Sequence, residues 1–477
     1  GYGDLGIRAA DEGIAFIEMM DDLVDYWDVH IGTINDGEDV GSSRFFETNH
    51  QAEYVRHAKR VSRKPVTCVG RFTDPDVMVA AIESGQIDMI GAARPSIADP
   101  FLPKKIEEGR FDDIRECIGC NICLSRWMLG GPPIWCTQNP TSGEEYRRGW
   151  HPEEVSKAAN NDRDVLVVGA GPAGLECAMV LGKREMNRVH LVDERRAMGG
   201  HMTWLTTLPG LGSWRRVVTY RETQIGKLGN VDFIPGKRLS ADDVLEYGAE
   251  LVVVATGSRW DGRGINAAQR DPIPGVDASR DEVVTPEQVV LDGKPVGKRV
   301  IVLDTDGYHM GATMAEHLAC GGHQVVYVSH FDTVGPYLRF TAEEQRTSMR
   351  LAELGVEIRT QSLVLGFEDG MAPVLRYTDG ATDTVEADSL CLVTQRLSEC
   401  EIYNELKADQ DKLKEAGIDG LYLIGDAWAP GMIAQATFAG SRLAREIDSE
   451  DPATPLPFLR ERSPVAPGVS RGQVTAP

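Results

Sequence analysis

Four of the nine cysteines lie close together in the sequence, at Cys117, Cys120, Cys123 and Cys136. The first three have the spacing C-x2-C-x2-C, so three thiolates on one tight turn can each reach a different iron of a cubane cluster, while the fourth ligand comes from a separate segment. Zinc is the main alternative, but zinc sites with four cysteines usually consist of two separated C-x2-C pairs. We therefore expect these cysteines to hold a [4Fe–4S] cluster.

The composition is that of a globular protein and argues against several classes of partner. The chain has 477 residues and a formal net charge of −23, which disfavours nucleic acid and anionic membranes. No apolar run approaches the length of a membrane span and no signal peptide is visible, so we expect a cytoplasmic protein without a disulfide framework. The chain starts with Gly1 in the middle of a pattern rather than with methionine, and we expect it to be a fragment.

Residues 1–110 alternate between strand-like and helical patterns, which is typical of parallel β/α units. The successive runs are residues 23–31, 45–60, 65–69, 74–84 and 87–90. Gly70 and Arg71 follow the second strand-like run, and Arg94 follows the third. In β/α barrels the loops after the last two strands commonly form a phosphate site, where arginine binds phosphate through two hydrogen bonds. We interpret this region as the C-terminal part of a TIM barrel, and we expect about five further units to precede it.

A dinucleotide-binding fingerprint of the form GxGxxG joins a strand-like run, residues 164–168, to a helical run, residues 175–183. Its glycines are Gly169, Gly171 and Gly174. They allow a tight turn, the approach of a pyrophosphate to the helix N-terminus, and the packing of the helix on the strand. The next strand ends at Asp193 and Glu194, where an acid accepts hydrogen bonds from an adenosine ribose. A Rossmann unit without a ligand is the alternative.

A second strand–helix pair, residues 298–303 and 311–320, lacks this fingerprint. Where an NAD(P)H-binding module would carry GxGxxG, the sequence is Asp-Thr-Asp-Gly-Tyr-His-Met (304–310), and its two carboxylates would repel a pyrophosphate. We infer that residues 281–399 keep the fold of a nicotinamide-binding module and have lost its site.

Several stretches carry a resemblance to known proteins. Asp-Met-Ile-Gly-Ala-Ala-Arg-Pro-Ser-Ile-Ala-Asp-Pro-Phe (88–101) resembles the last barrel strand of the old yellow enzyme class. Cys-Ile-Gly-Cys-Asn-Ile-Cys-Leu-Ser-Arg-Trp (117–127), with the run up to Pro152, is very similar to the trimethylamine, dimethylamine and histamine dehydrogenase family. Residues 251–257 and 421–427 resemble two sequence motifs of the disulfide reductases that bind FAD and NAD. The resemblance to the amine dehydrogenases covers nearly the whole chain.

This resemblance implies a barrel with FMN joined covalently to a cysteine, from which electrons pass to the cluster. It places Gly70, Arg71 and Arg94 at the phosphate end of the flavin. Asp39 matches the acidic member of the catalytic triad, and Trp127 matches one wall of an aromatic bowl that holds a cationic amine by cation–π attraction. Without the resemblance, the simpler interpretations are a solvated loop acid and a core tryptophan.

One departure from the family bears on the substrate. Where the methylamine enzymes have a second tryptophan of the bowl, shortly before the catalytic acid, this chain has Asn-Asp-Gly (35–37). An acid there would pair with a charged substrate instead of enclosing a methylated one, which argues against trimethylamine itself. The family's exposed docking tyrosine also has no clear counterpart, and Tyr220 is only nearby.

A further motif, Gly425-Asp426, bears on the nucleotide. In the disulfide reductases this motif contacts the ribityl and phosphate groups of FAD. In the amine dehydrogenases the same domain resembles an FAD fold but holds ADP. We therefore expect ADP, with FAD as the alternative.

We thus predict an α/β protein, the C-terminal part of a TIM barrel followed by Rossmann-like domains of the FAD/NAD(P) type. The predicted segments are 1–110 (incomplete FMN barrel), 111–155 (cluster), 156–280 with 400–460 (ADP- or FAD-type domain), 281–399 (inserted module) and 461–477 (extended tail). The predicted activity is oxidation of an amine C–N bond, with electrons passing to an electron-transferring flavoprotein, and we expect a homodimer. The alternatives are an NAD(P)H-dependent 2,4-dienoyl-CoA or enoate reductase and an electron-relay fragment without catalysis.

Overall fold

A computed structural model describes residues 7–32, 41–128 and 133–459 of the chain, apart from the side chains of Ala9, Trp127 and Met128. Within these ranges the strands form five sheets. No helix in this part of the chain is long and apolar enough to cross a membrane.

The first part of the chain consists of β/α units. Its elements are α1 (Ile14–Met20), β1 (Trp27–Val29), α2 (Ala52–Val61), β2 (Val66–Cys68), α3 (Pro75–Glu83), β3 (Met89–Ile90), α4 (Ala93–Ala98) and α5 (Leu102–Glu107). The three strands are parallel neighbours in the order β1-β2-β3, and α2 and α3 connect them. Asp74 caps α3 by accepting a hydrogen bond from the N–H of Asp76, and Pro75 stands in the first turn, where no donor is needed.

Two predicted runs in this part are longer than the elements that form. The helix predicted over residues 45–60 begins only at Ala52, because the left-handed backbone of Asn49 (φ 62°) interrupts any earlier helix. The strand predicted over residues 23–31 is limited to β1. Its first residue, Leu23, ends a 3₁₀ helix (Asp21–Leu23), in which the carboxylate of Asp21 accepts a hydrogen bond from the indole N–H at the start of β1.

A long loop with two short helices, α6 (Ile122–Met128) and α7 (Glu145–Arg148), follows the barrel part. The loop is fixed to α5 by Lys105, whose fully buried ammonium group contacts Asp99 at 2.7 Å and Glu153 at 2.9 Å. A buried charge without such partners would cost several kcal/mol. These contacts therefore determine where both ends of the loop lie relative to the barrel part.

The remaining chain forms two Rossmann-like units, one inserted in the other. The first stretch contains β4 (Asp164–Val168), α8 (Pro172–Lys183), β5 (Arg188–Asp193), α9 (Met202–Leu205), α10 (Arg216–Gly226), β6 (Val231–Pro235), α11 (Ala241–Glu246), β7 (Leu251–Val254) and β8 (Ser258–Trp260). The insertion contains β9 (Val283–Val284), α12 (Pro286–Val290), β10 (Arg299–Asp304), α13 (His309–Cys320), β11 (Gln324–Ser329), α14 (Glu344–Glu353), β12 (Glu357–Arg359), β13 (Ser362–Val364), β14 (Met371–Arg376), β15 (Ala381–Glu386) and β16 (Ser389–Val393). The final stretch contains β17 (Arg396–Ser398), α15 (Glu401–Ala408), α16 (Gln410–Glu415), β18 (Gly420–Leu423) and α17 (Ile433–Arg445).

Both Rossmann-like sheets are parallel. The first has the strand order β18-β7-β4-β5-β6 and the second has the order β12-β11-β10-β16-β9, with a separate antiparallel sheet, β13-β14-β15. The chain leaves the first unit after β8 and returns through β17, which pairs with β8 as an antiparallel link. The central strands are almost wholly buried, as expected for sheets covered on both faces. The predicted α/β class with Rossmann-like domains is therefore confirmed.

The packing of α8 on β4 depends on Gly174. A methyl group at this position would lie 1.9 Å from the carbonyl oxygen of Gly169, whereas one at Gly226, on α10, would meet no atom within 4 Å. We predict that Gly174→Ala lowers the free energy of unfolding by about 1–3 kcal/mol, because the helix must move away from the strand. Gly226→Ala is the matched control and should not lower it. Urea titrations followed by circular dichroism compare the two, and equal stabilities would contradict this description of the packing.

Candidate functional site

The four cysteines predicted as ligands line a single small cavity. Cys117 and Cys120 lie on the turn before α6, Cys123 lies in its first turn, and Cys136 comes from the loop that follows. Gly119 makes the turn possible with a left-handed backbone (φ 68°), and its N–H points at Cys117 Sγ, 3.5 Å away. The structure therefore brings together all four side chains that the spacing singles out.

The surroundings of the cavity disfavour thiolates unless a cation is bound. Burial raises the pKa of Cys120 to about 12, and it also raises the pKa values of Cys123 and Cys136. The charges of neighbouring thiolates add to this rise, whereas backbone N–H groups donate hydrogen bonds to all three sulfurs and oppose it. Bound metal replaces the protons of such thiols, and the N–H donors then stabilise the metal–thiolate centre.

The arrangement of the four cysteines bears on which kind of metal centre they suit. Within the described residues, no group of three or more His, Cys, Asp or Glu side chains is arranged to hold one metal ion. A zinc ion would need four sulfurs at about 2.3 Å from one centre, whereas a cubane places a separate iron at each thiolate. Four cysteines on one cavity, three of them with the spacing C-x2-C-x2-C, are the donor set that a cubane cluster would use.

Arg94 and Arg71, predicted at a flavin phosphate, both reach the cysteine loop. Arg94 lines the cysteine cavity, donates to the carbonyl of Ser42 at 2.7 Å, and opposes the rise in the pKa of Cys123 with its positive charge. Arg71 lies against Gly119, where a methyl group would be 2.7 Å from its Nη2. Burial, and then the like charge of Arg94, lower the pKa of Arg71. Both guanidinium groups therefore stand between the barrel strands and the cysteine loop.

Asn121 connects the cysteine loop to two other parts of the molecule. Its amide nitrogen donates to the carbonyl of Gly41 and, at 2.8 Å, to the carbonyl of Thr341 in the inserted unit, while its amide oxygen accepts from Arg94. The residue is buried and has a left-handed backbone (φ 55°), which asparagine tolerates better than most residues. Sequence reasoning missed Asn121, because its role depends on segments that are far apart in the chain.

Three other residues were predicted to contact a flavin or an amine. Asp39 lies outside the described residues, and so does the side chain of Trp127, whose backbone belongs to the last turn of α6. Gly70 follows β2 with φ 154° and accepts a hydrogen bond from the N–H of Asn49 at 2.6 Å. The contacts of these three residues with a flavin or an amine stay predictions.

The glycine fingerprint has the geometry of a nucleotide-binding turn. Gly169 has φ 106°, and a side chain there would meet the carbonyl oxygen of Ala255 at 2.3 Å. Gly171 precedes α8 and faces open space, since no atom lies within 4 Å of the position of a Cβ. The turn therefore leaves room for an anionic group at the start of α8, where the helix dipole stabilises it.

The two acids at the end of β5 have different roles. The carboxylate of Asp193 accepts hydrogen bonds from the N–H groups of Ala170 at 2.6 Å and of Arg195 at 2.7 Å, so it fixes the glycine turn itself. Glu194 is exposed and lies 3.4 Å from the exposed Arg238. Of the two predicted acids, Glu194 is the one whose carboxylate remains available to a ribose.

Asp426 already has several partners within the protein. Its carboxylate accepts hydrogen bonds from Arg396 at 2.7 Å, from the Ser258 hydroxyl at 3.0 Å and from the N–H of Gly431 at 3.0 Å. Gly425 before it has a left-handed backbone (φ 64°). Asp426 Oδ2 therefore has two donors within the protein, whereas Oδ1 has one and can accept a further hydrogen bond. Arg396 was not singled out by the sequence, because it follows an ordinary buried strand.

In the inserted unit, Asp304 takes the place of the phosphate cradle. Its carboxylate accepts hydrogen bonds from the N–H groups of Asp306 at 2.9 Å and Gly307 at 3.0 Å, and from the hydroxyl of Tyr327 at 2.5 Å. Burial, and then the charge of Asp306, raise the pKa of Asp304 to about 7. Two of the N–H groups that a pyrophosphate would need in this turn are thus already used.

Family comparisons assign three parts of the chain. Residues 4–113 match the NADH:flavin oxidoreductase / NADH oxidase family, residues 164–206 match an FAD binding domain, and residues 284–385 match an OYE-like second alpha/beta domain. These matches confirm the flavin-type barrel and the FAD-type Rossmann fold that the sequence predicts.

Over 97% of its own length, the chain is 45% identical to dimethylamine dehydrogenase from Hyphomicrobium sp. (strain x). It belongs to the dimethylamine and histamine dehydrogenase family. The structure of histamine dehydrogenase from Rhizobium sp. 4-9 matches 96% of the chain with a TM-score of 0.90 at 44% identity. That of 6-hydroxypseudooxynicotine amine oxidase (HisD) from Pseudomonas geniculata N1 matches 92% with a TM-score of 0.87 at 42% identity. The chain spans 66% of the length of the first two proteins and 64% of the third.

Proposed function

We propose that the whole protein oxidises the C–N bond of a small amine at FMN and passes the electrons to a [4Fe–4S] cluster held by Cys117, Cys120, Cys123 and Cys136. The observation that carries this proposal is the cavity lined by four thiols directly after the last strand of a flavin-type barrel part. The 45% identity to dimethylamine dehydrogenase, which extends over almost the whole chain, supports it.

The cofactors would supply the redox chemistry, and the protein would bind and orient the reactants. FMN would supply the two-electron oxidant for the amine, and a cluster held by the four cysteines would supply a one-electron acceptor beside it. Trp127 would hold the cationic amine by cation–π attraction, and Asp39 would orient the active-site base. Arg71 and Arg94, which follow β2 and β3, would bind the flavin phosphate with Gly70 beside them.

The substrate that we propose is a small amine with a second polar or charged group. Residues 35–37, Asn-Asp-Gly, stand where the methylamine-oxidising members of the family have a tryptophan. An acid at this place would form an ion pair with a charged substrate. Two of the relatives are also named for histamine and for 6-hydroxypseudooxynicotine rather than for a methylamine.

In the first Rossmann unit we propose ADP rather than FAD. The open space beside Gly171 suits a pyrophosphate, and the exposed Glu194 suits a ribose. FAD would extend beyond the pyrophosphate to Asp426, whose Oδ2 already accepts hydrogen bonds from Arg396 and Ser258, so that a ribityl hydroxyl would have to share this carboxylate with them. ADP ends before this point, so it can bind while these hydrogen bonds persist.

An NAD(P)H-dependent reductase is the main alternative. Asp304 argues against it, because its carboxylate uses the N–H groups of the turn and fills the space beside Gly311, where a Cβ would lie 2.2 Å from Asp304 Cγ. A nicotinamide dinucleotide would have to displace this carboxylate and place its phosphates next to Asp306. The third hypothesis, an electron relay without catalysis, predicts that no amine reduces the flavin of the whole protein.

We further propose an electron-transferring flavoprotein as the acceptor and a homodimer as the assembly, as the family resemblance implies. Tyr220 is buried, and its hydroxyl accepts a hydrogen bond from the buried Arg115 at 3.1 Å. It therefore cannot take the place of an exposed docking tyrosine. The acceptor must dock through other residues.

A stopped-flow experiment on the full-length protein tests the proposed reaction. A small amine should reduce the flavin first and the cluster second, whereas NADH and NADPH should do neither at a useful rate. Asp39→Asn should slow flavin reduction about 10²-fold, because the active-site base loses its orienting acid. Asp22→Asn, which changes an acid that is 80% exposed, is the matched control. Rapid bleaching of the flavin by NADPH, with none by any amine, would show that the reductase hypothesis is right.

The nucleotide can be identified in protein denatured by acid. The supernatant should contain about one ADP per chain and no FAD, as measured by chromatography. Gly171→Val should abolish nucleotide retention, because its side chain would fill the space that a pyrophosphate needs. Gly212→Ala, at another glycine with open space around it, should retain the nucleotide. Recovery of about one FAD per chain would contradict the assignment.

A further inference from the structure

Arg71 and Arg94 form no ion pair with a carboxylate of the described residues. Arg71 Nη1 donates to the carbonyls of Ser43, at 2.7 Å, and Phe46, and Arg94 donates to the carbonyl and the hydroxyl of Ser42 at 2.7 and 2.9 Å. These partners are neutral. Among the described residues, no carboxylate oxygen lies within salt-bridge distance of either guanidinium group.

Other arginines in the same region do have carboxylate partners. Arg44 lies 3.5 Å from both Glu316 and Glu343, and Arg216 forms an ion pair with Glu116. The two arginines that follow β2 and β3 differ from these in having only neutral hydrogen-bond partners among the described residues. Two like charges that are partly buried and close together require an anion nearby.

The cysteine site provides such an anion. Arg94 lines the cavity together with the four cysteines, and Arg71 lies against Gly119, which stands between Cys117 and Cys120 in the cysteine loop. Four thiolates give a bound cluster negative charge, and the uptake of one electron adds one more. A flavin phosphate on the barrel side would share the same two arginines.

We propose that Arg71 and Arg94 set the reduction potential of the cluster by stabilising its reduced, more negative form. This role depends on the cluster proposed above, and it is additional to any contact of the two arginines with a flavin phosphate. Opposite charges attract more strongly in a partly buried site than in water, so each guanidinium group favours the extra electron. The cluster then accepts an electron from the flavin more readily. Both arginines are positioning residues for this transfer.

A redox titration with dithionite, followed by EPR of the reduced cluster, measures this effect directly. Arg71→Gln and Arg94→Gln should each lower the equilibrium constant for one-electron reduction about tenfold, a shift of about 59 mV to more negative potential. Arg71→Lys and Arg94→Lys keep the charge and should change the constant by less than about twofold. Arg376→Gln, which removes an exposed arginine of β14, is the matched control and should change nothing.

The outcomes separate this role from the existence of the cluster. Unchanged potentials in both glutamine variants, with the iron and sulfide content of the wild type, would overturn the proposal. If Arg94→Gln holds no cluster, Arg71→Gln decides, since Arg71 does not line the cavity. If both glutamine variants lose the cluster and both lysine variants retain it, the two charges are needed for assembly of the cluster rather than for its potential. That result would also overturn the proposal. Wild-type protein that takes up no iron would contradict the proposed function itself.

Discussion

The amide group of Asn121 holds together three parts of the chain that are far apart in the sequence. It binds the barrel part through Gly41 and Arg94, and the inserted unit through Thr341. The group is buried, so a lost partner would leave a polar atom without a hydrogen bond, at a cost of about 1–3 kcal/mol. Because Cys120 and Cys123 flank this residue, the shape of the cysteine loop depends on how barrel and insertion sit against each other.

The inserted unit has a structural role beside the cysteine loop. Its 3₁₀ helix, Pro336–Thr341, packs against α6 and ends at the carbonyl that Asn121 binds. The ion pairs of Arg44 with Glu316 and Glu343 join the barrel part to the same unit. The insertion therefore helps to hold the cysteine loop in place.

The two Rossmann units share a fold but differ in whether the turn after the first strand leaves room for a phosphate. In the first, Gly171 leaves the start of α8 open, and the carboxylate of Asp193 accepts a hydrogen bond from the N–H of Ala170 in the turn. In the second, the carboxylate of Asp304 lies in the turn and accepts hydrogen bonds from N–H groups that a phosphate would bind. Both units have a strand, a turn and a helix in the same order, so the difference lies in the position of the carboxylate.

Local patterns were sufficient to predict most of the elements and to single out four cysteines that line one cavity. The spacing of the cysteines and the strand–glycine–helix pattern depend on neighbouring residues, and both appear in the structure as expected. The predicted helix over residues 45–60 is shorter than expected, because the left-handed turn at Asn49 has no strong sequence signal.

Contacts between distant segments could not be predicted. Arg71 and Arg94 were expected beside a phosphate, and no local pattern indicates that they also face the cysteine loop. The same holds for Arg396, which binds Asp426 across 30 positions of the chain. Such contacts arise only after whole units pack together, so they follow from the tertiary structure rather than from any periodicity.

X-ray diffraction at the iron absorption edge, from crystals of the anaerobically purified protein, tests the metal centre most directly. We expect four anomalous peaks in the cavity between α4 and the cysteine loop, each next to the sulfur of Cys117, Cys120, Cys123 or Cys136. A single peak that appears at the zinc edge and is absent at the iron edge, or no metal peak in the cavity, would contradict the cluster and the electron pathway built on it.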